Sequence, residues 1–462
     1  MYLYAYPYPC YSFRRALKPT LAVVLTLAIV LLVYSRDAWY LSSGDREIAR
    51  MRLSMAEPST HLWRPEDAAR HGESRPFNAT IIALVRNEEL DGMVYSMRQL
   101  ERSWNSKFNY PWTFFNDVPF TEEFKRRTQA ETKAECRYEL VPPEHWDVPD
   151  WIDPNVLQQS IDKMNAKWVK HASQISYHQM CRWYSGFFYK HPALKDMKYY
   201  WRVEPNVKFF CDINYDVFRF MADHNKTYGF TINIYDDPNT LPSLWPETMA
   251  FLEQHPEYLS PDNSLDWLTD ATGRPDVTAR AHGYSTCHFW SNFEIGDLDF
   301  WRSPAYEAYF AHLDRAKGFF YERWGDAPVH SVALGLFAEN RNIHWFRDIG
   351  YQHSVFSNCP DTPNCHGCRP NKLAPLTLWL NKEDCRVNWF RQVCASRRKN
   401  GDMNDEDGLC GECFGWLYTV YGMEYDIVIK ESSIYRIYFG QAKFAVSHLT
   451  HVYLSMKTLN YY

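Results

Sequence analysis

The sequence predicts an α/β fold, one large domain built on a sheet flanked by helices. Three observations carry this. The run 79–85 (ATIIALV) is continuously apolar, as a strand buried on both faces is. Leu90, Met93, Val94, Met97 and Leu100 then recur at helical spacing. A second short strand, 112–115, ends at Asn116-Asp117, so strand and helix alternate as they do along an α/β sheet.

Ahead of this domain lies residues 20–34, TLAVVLTLAIVLLVY, fifteen residues without a charge and preceded by Arg14, Arg15 and Lys18. That is short against the roughly 17–25 residues of a typical span, but it suits a thinner early-secretory bilayer. No small-x-small cleavage site follows in YSRDAWYLSS, and the positive flank on the N-terminal side places the body in the lumen. The expected layout is a cytoplasmic tail (1–18), a type II membrane anchor (19–35), a charged and weakly periodic stem (36–75) and a luminal main domain (76–397). The remaining residues, 398–462, differ in composition and receive no role. A lumen also accommodates the cysteines: of twelve, all but Cys10 lie beyond the anchor, where disulfides persist. Cys365-x-x-Cys368 and Cys410-x-x-Cys413 are too far apart for a compact zinc module, so disulfides are expected there as well. Asn78 and Asn225 each open an N-x-T sequon.

Further along, residues 156–189 read as one long helix with Tyr177, Met180, Cys181 and Tyr184 on one face. Residues 228–235 (YGFTINIY) alternate like a strand, 287–293 (CHFWSNF) lead as strand or loop into Glu294, and 327–338 are helical. The formal charge of −6 and pI near 6.3 argue against a nucleic-acid partner. Neither a GxGxxG fingerprint nor a GxxxxGK[ST] loop is present, so a nucleotide has to be held by a metal and side chains rather than by a glycine cradle.

Sheets of this kind bind ligands beyond the carboxyl ends of their strands, which gathers Arg86, Asn87, Asn116, Asp117 and Glu204 on one rim. In YYWRVEPNVKFF an aromatic strand breaks at Glu204-Pro205-Asn206 and then resumes. Two readings stand: an ordinary exposed turn, or a strand end that presents a carboxylate to a divalent cation and a diphosphate. Glu294, set among bulky apolar residues, is either paired with a cation such as Arg302 or kept for chemistry. His353 is a candidate imidazole ligand or a structural histidine. Asp326-Ala-Pro-Val-His330 is a site cluster or a helix start with Pro328 in its first turn.

Taken together, the stretches ATIIALVRN, FNDVPFTEEF, EHWDVPDWID, SYHQMCRWYSGFF, YYWRVEPNVKFF, CHFWSNFEIGDLDFWRS and GFFYERWGDAPVHS resemble the fungal α-1,2-mannosyltransferases of glycosyltransferase family 15, which act on protein-linked mannans. The resemblance implies a GT-A type mixed sheet, GDP-mannose as donor, Mn²⁺ as cofactor, a mannosylated glycoprotein acceptor and retention at the anomeric carbon. It makes Glu204 and His353 the metal-binding positions, Glu294 the candidate nucleophile and Tyr177 an active-site tyrosine near the sugar. Arg86 goes to the nucleotide pocket, and Asn87, Asp117 and Asp326 are assigned with it. A Golgi location follows from the anchor and the family. The alternative is a catalytically silent, lectin-like or scaffolding paralogue of the same fold. Two departures stand out: Asn206 leaves the metal motif with one acid, and the segment 372–382 and the tail beyond 397 look foreign to the family.

Overall fold

The computed structural model describes residues 77–392, except 272, 361, 371, 387, 390 and 391, together with residue 28 and a small ribbon of Tyr425–Val428 and Arg436–Phe439. The expected anchor and stem lie outside the described residues. Among the described residues, no helix is long and apolar enough to cross a membrane.

In chain order the strands of the body are β1 (Ala79–Leu84), β2 (Trp112–Asn116), β3 (Cys136–Leu140), β4 (Tyr199–Arg202), β5 (Lys208–Phe209) and β6 (Tyr228–Phe230). They continue with β7 (Asn233–Tyr235), β8 (Cys287–Phe289), β9 (Glu294–Asp297), β10 (Ile343–Trp345), β11 (Tyr351–His353) and β12 (Phe356–Asn358). Seven form a mixed sheet in the order β10-β6-β9-β4-β1-β2-β3. From β4 to β3 the pairing is parallel, whereas β9 runs antiparallel to both β4 and β6. A separate antiparallel sheet, β12-β11-β5, and a β7–β8 ribbon stand beside it.

Because successive strand residues point to opposite faces, the sheet divides the interior in two. Ile81 and Ala83 pack with Met93, Met97 and Leu100 of the helix Leu90–Leu100. Ile82 faces the other way, into an aromatic core with Trp183 and Tyr184 of the helix Ile175–Gly186 and Val329 and Val332 of the helix Asp326–Phe337. On β4, Tyr199 and Trp201 take the first side and Tyr200 the second. Arg202 therefore follows Tyr200 onto the aromatic side, and that single parity decides where the site's charges lie.

Three expectations need correction. The long helix is two, Pro154–Ala166 and Ile175–Gly186. Between them Trp168 and His171 adopt left-handed backbone at φ 58° and 63°, while Ile161, Met164, Val169 and Ala172 close a small apolar cluster that holds the bend. The strand 228–235 is also two, since β6 joins the main sheet and β7 leaves it to pair with β8. Finally, the segment 372–382 belongs to the body. Leu373 and Ala374 are buried, Leu373 accepts a backbone hydrogen bond from Ser357, and the disulfide Cys287–Cys385 fastens the chain just beyond it. Cys365 and Cys368 pair with Cys211 and Cys359 respectively, so this C-x-x-C is not a metal clip.

Candidate active site

Past β4 the chain turns through Glu204-Pro205-Asn206 into β5. Asn206 sits at φ 62°, a left-handed conformation that asparagine tolerates better than most side chains. Its N–H donates to the carbonyl of Gly92 at 3.0 Å, and the Val207 N–H donates to the Ser96 hydroxyl at 3.0 Å. The helix Leu90–Leu100 thus grips the turn so closely that a Cβ on Gly92 would stand 2.6 Å from the Asn206 amide. Position 206 thus shapes the turn through its backbone.

The antiparallel pairing of β5 with β11 (Tyr351↔Phe209, Gln352↔Lys208) then carries His353 back beside the turn. Glu204 and His353 line one cleft of about 380 Å³, with Glu89, Asn206, Lys208 and Gln352 among its other walls. The His353 ring stands edge-on to Trp290, 5.2 Å between centroids. Burial lowers its pKa, against a smaller opposing pull from Glu204, so the imidazole is neutral at neutral pH. Its Nδ1 is buried with no hydrogen-bond partner. Glu204 receives Arg202 Nη2 at 2.6 Å and Nε at 3.0 Å, both on Oε1. A carboxylate oxygen and a neutral imidazole nitrogen are a donor set that fits Mn²⁺. Among the described residues no group of three or more His, Cys, Asp or Glu is placed to hold a metal ion, so the chain offers this pair and no closed cage.

The rim residues divide. Arg86 reaches the cleft through Glu89, Nε to Oε2 at 3.3 Å, and Asp117 is near enough for its charge to help hold the guanidinium protonated, behind the larger effect of Glu89. Asn87 is turned to bracing: its amide donates to the Pro119 carbonyl at 3.1 Å and its oxygen accepts from the Thr121 N–H at 3.0 Å.

Behind the cleft lies a charge cluster organised by Arg202, a residue the sequence reading missed. Its side chain is 3% exposed, with its guanidinium carbon 3.4 Å from the centroid of the Tyr184 ring. Nη1 binds Asp326 at 2.6 Å and stands 4.0 Å from Glu294, which the β4–β9 register sets directly opposite. Asp326, assigned to the nucleotide, is instead buried at the start of the helix Asp326–Phe337, where it also accepts from Ser291 Oγ at 2.6 Å. Burial alone would raise its pKa, but Arg202 and then His330 outweigh it and hold the carboxyl below its ordinary range.

Glu294 is fully enclosed, one layer behind the cleft wall. Its Oε2 accepts from the Tyr228 hydroxyl at 3.1 Å and lies 3.1 Å from His330 Nδ1, whereas Oε1 has no hydrogen-bond partner. Arg302 is not its counterion, since it donates to the carbonyls of Leu194 and Met197. Tyr177 stacks on His171 at 4.4 Å, and the Arg323 guanidinium lies 5.5 Å over its ring. It is linked to the cluster through Asp326, whose charge bears on both Tyr177 and Arg202. The structure therefore joins Glu204 with His353 in the cleft and joins Glu294, Asp326 and Arg202 behind it. One signal for Arg202 was present: residues two apart on extended chain share a face, and Arg202 and Glu204 are such a pair.

A mixed α/β sheet that offers a carboxylate–imidazole pair at its strand ends, without a glycine-rich phosphate loop, suits an enzyme that holds a diphosphate ligand through a metal and side chains, as glycosyltransferases do. Comparison with known proteins makes the assignment specific: the chain belongs to the glycolipid 2-alpha-mannosyltransferase family, whose model matches residues 43–393. That match runs past the motif-bearing stretches at both ends and takes in the segment 372–382. The chain is 49% identical over 364 residues to alpha-1,2 mannosyltransferase KTR1 of Saccharomyces cerevisiae, covering 78% of this chain and 90% of that protein. It is 61% identical to core-mannan synthase A of Aspergillus fumigatus, solved in its Mn/GDP form, with a TM-score of 0.71 over 73% of this chain and 91% of that one. Mannosyltransferase Ktr4p of S. cerevisiae in complex with GDP is 42% identical, with a TM-score of 0.74 over 80% and 93% of the two chains.

Proposed function

We propose that this chain is a GT-A type enzyme that transfers mannose from GDP-mannose to a mannose on protein-linked O- or N-glycans, forming an α-1,2 linkage with retention. The observation that carries this reading is the meeting of Glu204 and His353 in one strand-end cleft, in a chain 61% identical to an enzyme solved with manganese and GDP. Glu204 and His353 would hold Mn²⁺, which when bound supplies Lewis-acid neutralisation of the charge on the departing diphosphate. Arg202 fixes the Glu204 carboxylate through Oε1 and leaves Oε2 to the ligand side. Arg86 and Asp117 offer charge and hydrogen bonds to the nucleotide at the rim. Glu294 and Asp326 set two carboxylates behind Arg202, an arrangement suited to positive charge developing on the transferred sugar. Tyr177 completes the sugar side.

The catalytic body resides in the Golgi lumen, held by the apolar segment 20–34 as a type II anchor. The positive residues before that segment and three disulfides in the body support this placement. The test incubates the purified full chain with GDP-mannose, Mn²⁺ and methyl α-mannoside, with and without chelator, and reads the product by NMR. A chelator-sensitive α-1,2-linked disaccharide is expected. A β-linked product would refute retention. Absence of product from a chain that still binds GDP would point to a different acceptor or to the silent paralogue.

A further inference from the structure

His330 is fully buried in the helix Asp326–Phe337, and both of its ring nitrogens have partners. Nε2 lies 3.0 Å from the carbonyl oxygen of Tyr184, and Nδ1 lies 3.1 Å from Glu294 Oε2. A carbonyl oxygen can only accept, so Nε2 carries a hydrogen. Two lone pairs do not face one another at the second distance, so a proton also lies between Nδ1 and Oε2. The pair is an imidazolium with a carboxylate or an imidazole with a carboxylic acid, and the proton occupies the same line in both. Tyr228 donates to the same Oε2 at 3.1 Å. One carboxylate oxygen is therefore bound from two sides, while Oε1 lies 4.0 Å from Arg202 and the Tyr200 hydroxyl is also close to the carboxylate. Arg202, Asp326, Tyr200, Tyr228 and Tyr306 are the charged and titratable groups around the pair. The rings of Trp301 at 4.3 Å and Phe188 at 6.2 Å wall the imidazole.

We propose that His330 is the positioning residue for Glu294: the proton it shares with Oε2 pins that oxygen, fixes the carboxyl group in one orientation and turns Oε1 toward Arg202. This rests on the reading that Glu294 serves the transfer. A merely structural role would instead use Nε2, tying this helix to the Tyr184 carbonyl.

Two substitutions separate the roles, because an asparagine amide reaches the place of Nδ1 and a glutamine amide the place of Nε2. His330→Asn should keep kcat within about tenfold of the parent, while His330→Gln should lose on the order of 10²-fold in kcat. In both, Mn²⁺-dependent GDP affinity and Tm should stay close to the parent. The reverse ranking, with glutamine rescuing and asparagine not, overturns the proposal. Should neither variant fold, neutron diffraction from the deuterated parent enzyme decides: density between Nδ1 and Oε2 is expected, and a bare Nδ1 overturns the assignment. Glu294→Gln in the same assay isolates the underlying reading. Parental kcat in that variant would remove Glu294 from the reaction, while the neutron result would still report whether His330 holds it.

Discussion

Replacing Arg202 with methionine leaves the local volume similar and removes the charge around which the cluster is built. Its 2.6 Å contact to Asp326 lies deep, with side chains 3% and 7% exposed, whereas Glu204 on the other branch is 24% exposed. Taking one partner from a buried ion pair costs about 3–5 kcal/mol, because the remaining charge is stranded. The more solvated Glu204 contact adds at most about 1 kcal/mol. For a domain of roughly 300 residues unfolding with about 2.1 cal/mol/K per residue, 3–5 kcal/mol lowers Tm by roughly 5–8 °C. The deficit also has a pH signature. Asp326 has its folded pKa held down, so its contribution is fully present above the ordinary aspartate value, about 3.9, and is lost as pH falls through the depressed one. Arg202→Met should therefore be most damaging near neutrality, with the gap to the parent closing as pH falls toward and through about 4. Scanning calorimetry at pH 7 and at falling pH measures both. Adding Asp326→Asn to the same chain should recover about 1 kcal/mol or more, since the stranded anion is then gone. A Tm loss under about 2 °C at pH 7, or a deficit that widens on acidification, would refute this account of the cluster.

His353→Ala should raise the Mn²⁺ concentration needed for half-maximal GDP binding by about tenfold or more, with little change in Tm, as read by titration calorimetry; an unchanged requirement removes His353 from the metal site. Gly92→Ala drives a methyl group into the Asn206 amide, 2.6 Å away, and should displace the Glu204 turn. Expected are a loss of Mn²⁺-dependent GDP affinity and a destabilisation of about 1–3 kcal/mol, and intact affinity would show that the turn tolerates the shift. The double substitution Cys287→Ser, Cys385→Ser opens a link spanning 98 residues and should cost about 2–5 kcal/mol in a denaturant titration. No loss of stability would mean that the segment near 372–392 only decorates the body.

Elements governed by local pattern were legible from the residues alone. The apolar run at 79–85 is β1, the helical spacing from Leu90 to Leu100 is a helix, and the strand ending at Asn116 is β2. The break at Glu204-Pro205-Asn206 marked a strand end, but no local pattern shows that β11 brings His353 beside it. What stayed hidden depends on distant packing. No glycine or proline announces the bend at 167–174, which is held by the cluster of Ile161, Met164, Val169 and Ala172. Nothing local in YGFTINIY says that its halves enter different sheets. Glu294 looked for a cation eight residues along its own chain, and the antiparallel register with β4 supplied Arg202 instead. Asp326 read equally as a site acid or a helix start, and it proves to be buried at a helix start while bound to that same arginine.

The junction of β5 with β11 also sets when the cleft can exist during synthesis. Glu204 leaves the ribosome long before His353, and the strand that carries His353 has no partner on this side until it meets Lys208 and Phe209. The disulfide Cys211–Cys365, spanning 154 residues, closes over the same junction. A growing chain thus carries Glu204 without His353 across the 149 positions that separate them. The cleft is complete only after His353 has emerged and β11 has folded back onto β5, so a cation that needs both side chains would not stabilise a shorter nascent chain.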